Sequence, residues 1–409
     1  MTQEALWFIL IYKWHYHKEY LIQAYLFLDY RTVKKYIQKE QQYFMLDQLV
    51  RDSKAIDKAI AGEELSYDDG LELMNYENLH ILGAVADHSR KKLVGDQVSF
   101  TSSYYMNYTN VCAASCQMCA FYRKEGDKDA YTLSPEQIEQ RVGIAKEMGA
   151  TEVHIVGGFH PQLPLDYYEN MLKLIKKNHP ELKIKALTAA EIFFLAKLTK
   201  NSTKEILSRL KEAGLDSMPG GGAELFHPDI RPKIARGKCT GQEWLDTIEE
   251  AHNLGIKSNV TMLYGHIEKP EHVIDHLIKI RELQKRTGGF ITLIPLKFSL
   301  DNTELEQKHL VNNECSSVYD LKITAVSRLM LANVLNNISV YWVAYGKKLA
   351  QVALANGGSD LVGTAFSEEV YRAAGKPTST SINELEIMVR EINREPVQRD
   401  TFFNIINKF

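Results

Sequence analysis

The feature that most limits the possible folds is a regular alternation of strand-like and helix-like segments over residues 98–363. Short apolar runs, such as 152–156 and 258–264, are each followed by a longer segment with helical periodicity. Alternation at this spacing predicts parallel strands joined by helical crossovers. About eight such units in about 270 residues fit an α/β fold of the TIM-barrel type, (β/α)8. The predicted strands are 98–101, 152–156, 183–188, 215–218, 258–264, 290–295, 339–343 and 360–363.

The sequence on either side of this alternation predicts helical segments and an appended extension. Residues 45–97 carry helical patterning, with Ser66 as an N-cap ahead of acidic residues. Residues 376–409 are expected to form a C-terminal helical segment, which leaves 98–375 as the barrel. In residues 1–44 two apolar stretches are interrupted by charges, and neither reaches the roughly 18 residues of a membrane span. We expect this extension to be an amphipathic helix or an appended, poorly ordered tail that the chemistry does not need, and an interfacial membrane helix is the alternative.

The composition limits the partners and the compartment. Lysine and arginine number 49 and aspartate and glutamate 52, a net charge of −3, so no nucleic-acid partner is expected. The chain has five cysteines and lacks the basic start and small-residue cleavage site of a secretory signal. This pattern indicates the reducing cytoplasm.

Three of the five cysteines, Cys112, Cys116 and Cys119, fall within eight residues. Soft thiolates suit zinc and iron–sulfur clusters. A structural zinc site usually takes four protein ligands in two pairs, and no second pair follows here. Three thiolates around a four-iron cluster would leave one iron open to a substrate. The alternatives are three structural cysteines, an iron–sulfur electron carrier or a metal-binding structural protein. Cys239 and Cys315 stand apart and are expected to be buried thiols.

The three-then-two spacing of these cysteines resembles the signature of the radical S-adenosylmethionine (SAM) enzymes. The resemblance implies a 4Fe-4S cluster on the three cysteines, whose open iron binds the amino and carboxylate groups of SAM. It also implies one-electron cleavage of SAM to a 5′-deoxyadenosyl radical. Met118 stands where this family usually has an aromatic residue, and its thioether could still cover the adenine edge.

Further motifs follow the predicted strands, at the carboxyl ends where barrels of this type carry their active sites. The resemblance implies that Gly157 and Gly158 receive the methionine amino group, and that the stretch around Gly265 lies along the adenine. The glycine run before Glu224 lacks the lysine and spacing of a phosphate-binding loop, which leaves either a close backbone approach to a ligand or a floppy loop. The residues predicted to bind the cofactor and SAM are Met118, Tyr122, Gly157, Gly158, Glu191, Gly220, Gly221, Gly222, Glu224, Gly265 and Glu268.

An ordered set of motifs makes the resemblance narrower. The motifs at 107–112, 154–161, 219–224, 262–268 and 396–401 resemble the aminofutalosine synthase family, from the futalosine route to menaquinone. The similarity runs from about Met45 to Phe403. Related cyclic dehypoxanthinyl futalosine synthases have asparagine in place of His160 and Pro-Pro in place of Ala189-Ala190. One departure is Ser299-Leu300, where the family has His-Pro.

The resemblance implies a reaction and its participants. The radical would add to the enol ether 3-[(1-carboxyvinyl)oxy]benzoate, giving 6-amino-6-deoxyfutalosine, methionine and bicarbonate, with SAM as a co-substrate. His160, Glu191 and His266 are the predicted catalytic residues. A flavodoxin or ferredoxin is the expected electron donor. The related futalosine cyclase and the deazaflavin (FO) synthase type remain alternatives.

The substrate's two carboxylates call for cationic or hydrogen-bonding partners in the barrel mouth. His160, His266, Lys297 and Arg328 are the candidates. Lys297 could instead be a solvated surface charge, and Arg328 could pair with an acid on a helix.

Overall fold

The computed structural model describes residues 53–376 and 378–409, so the expectations for residues 1–44 lie outside the described part of the chain. Its centre is a parallel sheet of six strands, β2 to β7, paired in chain order. The strands, in chain order, are β1 (Gln97–Thr101), β2 (Ser103–Asn107), β3 (Glu152–Val156), β4 (Lys183–Ala186), β5 (Ser217–Met218), β6 (Lys257–Tyr264), β7 (Phe290–Lys297), β8 (Asp360–Gly363), β9 (Glu395–Arg399) and β10 (Ile405–Lys408).

Isolated parallel bridges continue the curved sheet from β7 back to β2. Leu293 of β7 pairs with Ile338, Ser339 pairs with Asp360 of β8, and Phe366 beyond β8 pairs with Tyr104 of β2. The predicted α/β class and barrel-like arrangement are therefore confirmed. The predicted strand 339–343 is reduced to these bridges, and a short helix begins at Trp342.

Helices connect the strands, and local capping sets where several begin. Ser134 caps the helix that starts at Pro135, and the side chain of Gln137 completes a capping box. Thr188 and Glu191 form the same motif after β4. The helices are Lys54–Ala61, Tyr67–Asn75, Leu79–Val94, Pro135–Glu147, Leu165–Asn178, Ala189–Thr199, Thr203–Ala213, Arg231–Ile234, Gly241–Asn253, Pro270–Thr287, Glu304–Gln307, Ser317–Met330, Trp342–Tyr345, Lys347–Leu354, Val370–Ala373 and Ile382–Arg390.

The strand that feeds the cysteine loop differs from the prediction. The expected strand 98–101 belongs to a second sheet of four strands, in the order β10-β9-β1-β8. The feeding strand is β2, which follows β1 after the single residue Ser102. Four of the five β2 residues are buried, so β2 lacks the polar–apolar alternation by which a half-buried strand is recognised.

The C-terminal segment also departs from the helical expectation. It holds the helix Ile382–Arg390 and then the strands β9 and β10. Arg399 at the end of β9 donates to both carboxylate oxygens of the buried Asp360, at 2.6 and 3.0 Å. Thr401 donates to Glu152, the first residue of β3, at 2.6 Å. These contacts bind the C-terminal segment to the amino-terminal end of the barrel.

Candidate active site

A cavity of about 300 Å³ lies at the carboxyl ends of the barrel strands. Its lining includes Asn107 and Val156, which are the last residues of β2 and β3. Thr261, Leu296 and Val362 contribute from β6, β7 and β8. Ligands in barrels of this type bind at this end of the strands.

The cysteine loop forms one end of the cavity, and Cys112, Cys116 and Cys119 all line it. The backbone holds the loop in place: Cys112 N–H donates to Arg123 O at 3.0 Å, and Cys119 N–H donates to Cys116 O at 3.1 Å. Gly158 packs so closely beneath the loop that a β-carbon there would overlap the carbonyl of Val111. The second glycine of the Gly157-Gly158 pair therefore lets the loop sit against the end of β3.

The three thiols fit an iron–sulfur cluster by their chemistry and placement. Burial raises the pKa of Cys116 to about 12, so its thiol keeps its proton in the absence of a metal. Across residues 53–376 and 378–409, no three His, Cys, Asp or Glu side chains converge closely enough to hold a single metal ion. A cluster engages each cysteine through a different iron, so its thiols do not need to meet at one point. Soft thiolates are the ligands that such clusters take.

Glu191 is bound to the backbone around it. Its Oε1 accepts hydrogen bonds from Gly157 N–H at 3.1 Å and from Tyr108 O–H at 2.9 Å. Its Oε2 accepts from Thr188 N–H at 2.7 Å. Burial raises the pKa of Glu191, and these three donors act against that rise. The carboxylate thus fixes the orientation of the Gly157 peptide at the cavity wall.

The glycine run after β5, Gly220 to Gly222, lies directly against β6. A β-carbon on Gly220 would come within 2.5 Å of the Val260 α-carbon, so only glycine fits there. Thr261 O–H donates to Gly220 O at 2.8 Å, and Trp244 Nε1–H donates to Gly221 O at 3.2 Å. These bonds fix the run in place, so the structure does not support a floppy loop.

A buried ion pair, Glu224–Lys238, lies beside the cysteines, and its lysine was missed by the sequence analysis. Lys238 Nζ lies 2.6 Å from Glu224 Oε1, and both residues line the cavity. Burial disfavours the ammonium charge, but Glu224 together with Cys116 and Cys119 outweighs burial and raises the pKa of Lys238. The lysine charge also opposes the effect of burial on the Cys116 and Cys119 thiols, because it lowers their pKa values. Lys238 therefore supplies positive charge where thiolates would form.

Another part of the cavity lining is aromatic and carries one cation, Lys297. Tyr105 stacks on His154 with ring centroids 4.4 Å apart, and burial lowers the pKa of His154 to about 3, which leaves it neutral. Tyr341 and Tyr371 meet edge to face at 5.2 Å. Lys297 Nζ lies 3.1 Å from Asp320 Oδ2, and this pairing raises the pKa of the lysine despite burial.

Lys297 was identified from the sequence as a candidate residue of this site, but the aromatic residues were not. They come from distant parts of the chain and share no motif, so no local signal marks them.

Several predicted residues do not line this cavity. The imidazole of His160 faces its own turn, where Nδ1 accepts from Gln162 N–H at 3.1 Å. Glu268 accepts from Gly265 N–H at 2.6 Å and from His266 N–H at 2.8 Å, so these three residues form a closed turn. Arg328 is fully buried and donates to Gly357 O, Asn336 O and Ser359 Oγ, which contradicts its assignment as a carboxylate partner.

Comparison with known proteins defines the class to which this fold and cysteine loop belong. Residues 106–280 match the Radical SAM superfamily, and residues 287–408 match the CofH/MqnC C-terminal region. The fold is similar to that of methylornithine synthase PylB, with a TM-score of 0.66 at 17% identity over 84% of this chain and 97% of that chain. The FeFe-hydrogenase maturase HydG from Carboxydothermus hydrogenoformans also gives a TM-score of 0.66, at 18% identity over 91% and 83% of the two chains. The protein belongs to the radical SAM superfamily, which implies a 4Fe-4S cluster and SAM.

Relatives that align with this chain over most of their length indicate a narrower family within this superfamily. The aminodeoxyfutalosine synthase of Thermus thermophilus is 38% identical over 359 residues, 87% of this chain and 96% of that protein. The enzyme of the same name from Streptomyces coelicolor is 38% identical over 364 residues, 86% and 93% of the two chains. A Methanopyrus kandleri protein named 5-amino-6-(D-ribitylamino)uracil–L-tyrosine 4-hydroxyphenyl transferase is 38% identical over 326 residues, 79% and 88% of the two chains. The predicted resemblance to aminofutalosine synthases is confirmed, within a family that also contains this second activity.

Proposed function

We propose that the protein is an aminodeoxyfutalosine synthase. It joins the 5′-deoxyadenosyl group of SAM to 3-[(1-carboxyvinyl)oxy]benzoate and forms 6-amino-6-deoxyfutalosine, methionine and bicarbonate. The observation that carries this proposal is one cavity with the three-cysteine loop at one end and Lys297 beside aromatic and aliphatic side chains at the other. An aryl dicarboxylate needs both an apolar surface for its ring and a cation for a carboxylate.

The cysteine end would hold the cofactor. Cys112, Cys116 and Cys119 would ligate the 4Fe-4S cluster, which supplies one electron to bound SAM after reduction by a donor such as flavodoxin or ferredoxin. Lys238 would offset the negative charge that the thiolates bring into a buried site. Gly158 allows the start of the loop, Val111 and Cys112, to lie against the end of β3.

SAM would lie between the cysteine loop and the glycine run. Gly157 and Gly158 would receive its amino group, and Glu191 would act on the same end by fixing the Gly157 peptide. Gly220, Gly221 and Gly222 would allow the close approach of the ribose, with Glu224 available for a hydroxyl group. Met118 and Tyr122, both in the cavity wall, would border the adenosyl group.

The residues predicted as catalytic take less direct roles in this proposal. Glu191 acts as a positioning residue, because its oxygens are bound by backbone and tyrosine donors. His160 and His266 would shape the turns at the cavity rim, and Gly265 and Glu268 close the second of these turns. The apolar walls would exclude water from a radical that water-exposed sites would quench.

One experiment separates this function from the second activity of the family. The reconstituted enzyme is incubated anaerobically with SAM, dithionite and the enol-ether benzoate, and the products are separated by chromatography. We expect 6-amino-6-deoxyfutalosine. A parallel reaction supplies L-tyrosine and 5-amino-6-(D-ribitylamino)uracil. Product in that reaction alone would assign the transferase activity instead.

The same assay addresses the remaining alternatives. A futalosine cyclase would leave the enol ether unchanged and release 5′-deoxyadenosine when given its own nucleoside. An electron carrier would cleave no SAM. The five free cysteines suit a reducing compartment, and we propose that the reaction takes place in the cytoplasm. No helix in residues 53–376 or 378–409 has the length and apolar character to cross a membrane.

A further inference from the structure

Glu368 is a carboxyl group in the cavity wall, 3% exposed, on the segment that follows β8. Its Oε1 accepts from Val370 N–H at 3.0 Å and its Oε2 accepts from Tyr371 N–H at 2.8 Å. Within the described residues, no lysine, arginine or histidine forms an ion pair with it. A buried carboxyl group without a cation usually remains protonated or binds a ligand.

The groups that face Glu368 are neutral phenols. A charge on Glu368 raises the pKa values of three phenols, those of Tyr105 in β2, Tyr341 just after Ser339, and Tyr371 in the short helix Val370–Ala373. Burial raises the pKa of each phenol far above neutrality. The next residue, Glu369, also raises the pKa of Glu368, and its own carboxylate pairs with Arg141 at 3.2 Å and accepts from Tyr131 O–H at 2.7 Å.

The other titratable groups in the cavity wall each have surroundings that fix their charge or occupy their hydrogen-bonding atoms. Glu224 pairs with Lys238, and Glu191 accepts three hydrogen bonds. Lys297 is held charged by Asp320, and His154 is held neutral by burial. Glu191 and Glu368 are both carboxyl groups whose pKa burial raises without an opposing cation. At Glu368 the backbone N–H groups of Val370, Tyr371 and Arg372 act against the rise, and its pKa still lies at about 7.

We propose that protonated Glu368 donates a hydrogen bond to one carboxylate of the substrate, while Lys297 binds the other. Two carboxyl groups in one buried site cannot both remain ionised and therefore share a proton. A substrate with a free amine would instead favour ionised Glu368. Glu368 would thus help the site to select an acidic aromatic substrate. This inference rests on the proposed function and deepens it by naming a residue that sets specificity.

The test measures binding without turnover. The probe is 3-[(1-carboxyethyl)oxy]benzoate, the saturated analogue of the enol ether, which keeps both carboxylates and lacks the reactive double bond. Its dissociation constant for the reconstituted enzyme with SAM is measured anaerobically by calorimetry from pH 6 to 8.5. Both probe carboxylates are ionised throughout this range. If only protonated Glu368 binds, affinity should fall roughly tenfold per pH unit above the Glu368 pKa.

Two variants test whether Glu368 causes the fall of probe affinity with pH. Glu368→Gln keeps a donor that does not titrate, so its dissociation constant should stay flat with pH and close to the low-pH value of the wild type. Glu369→Gln is the matched control, because its carboxylate is adjacent in sequence but paired outside the cavity lining. This control should keep the wild-type slope.

The outcomes separate this inference from the proposed function. A wild-type enzyme that makes 6-amino-6-deoxyfutalosine but binds the probe equally at every pH overturns the role of Glu368 alone. This result does not depend on the folding of any variant. A Glu368→Gln enzyme that keeps the slope, or a Glu369→Gln enzyme that loses it, also overturns that role. No product and no probe binding at any pH would overturn both proposals together.

Discussion

The two ends of the cavity differ in how the chain assembles them. At the cysteine end, the three predicted cluster ligands fall within eight residues, and backbone hydrogen bonds hold their loop, both within it and from Phe159 and Ile234. At the opposite end, Tyr105, Lys297, Tyr341 and Glu368 come from separate parts of the barrel. One end is a local motif, and the other exists only after the barrel has formed. The spacing of a local motif can be read from the sequence, whereas a wall assembled from many strands can be recognised only in the fold.

The two ends also treat buried charge differently. Glu224 and Lys238 neutralise each other beside the cysteines, at 2.6 Å. At the far end Lys297 faces two acids, Asp320 at 3.1 Å and Glu314 at 3.5 Å, while Glu368 has no cationic partner within the described residues. The pair beside the cysteines is thus balanced within the protein, whereas the buried carboxyl group of Glu368 has no cation to balance it within the described residues.

The largest expected effect comes from a cluster ligand. Cys119→Ala should abolish both the 4Fe-4S cluster and turnover, because two thiolates remain for a cluster that needs three from this loop. Iron content and the paramagnetic resonance spectrum of the reduced protein with SAM measure the loss. Cys239→Ala removes another buried thiol and should keep the cluster. A Cys119→Ala protein with a full cluster and activity would refute the assignment.

The next effect concerns the charge balance beside the cysteines. Lys238→Met should lower the free energy of unfolding by about 3–5 kcal/mol, because Glu224 is then buried without a counter-charge. Adding Glu224→Gln should restore much of that loss, which chemical denaturation of both variants would show. If the single and double variants are equally unstable, the pair does not act as a compensated unit.

A smaller effect is expected at the far wall. Lys297→Met should raise KM for the enol-ether benzoate about ten- to a hundredfold, since a hydrogen bond to a charged group contributes roughly 1.5–3 kcal/mol. SAM cleavage without the benzoate should persist. Lys376→Met is the control, because Lys376 also pairs with Glu314 but does not line the cavity. Equal KM values for the two variants would remove Lys297 from the substrate site.

How much of the fold and the site the sequence could predict also depends on whether the contacts are local or distant in the chain. The cysteine loop, the Gly157-Gly158 turn and the capping box of Glu191 are local patterns, and the structure brings them together at one cavity. The feeding strand β2 was missed because burial on both faces removes the alternation that marks a strand. Lys238 and Glu368 were missed because their partners are fixed by the fold and not by neighbours in sequence.

Arg328 shows the opposite error. A lone arginine suggests a carboxylate partner, but this one satisfies backbone carbonyls inside the core. Its role depends on burial, which the sequence around it does not reveal.

The smallest expected effect is at His160, where sequence and structure lead to different expectations. The sequence places His160 one residue beyond the Gly157–Phe159 turn, where its ring could reach a substrate carboxylate. In the structure the ring accepts a hydrogen bond from Gln162 N–H at 3.1 Å and lies outside the cavity lining. His160→Asn keeps a side-chain oxygen that can accept this bond, so we expect a stability change within about 1 kcal/mol. The ratio of 6-amino-6-deoxyfutalosine to free 5′-deoxyadenosine should then stay near the wild-type value. A ten- to hundredfold fall in that ratio, the size expected when a hydrogen bond to a charged group is lost, would mean that the turn moves on substrate binding and brings His160 into the cavity.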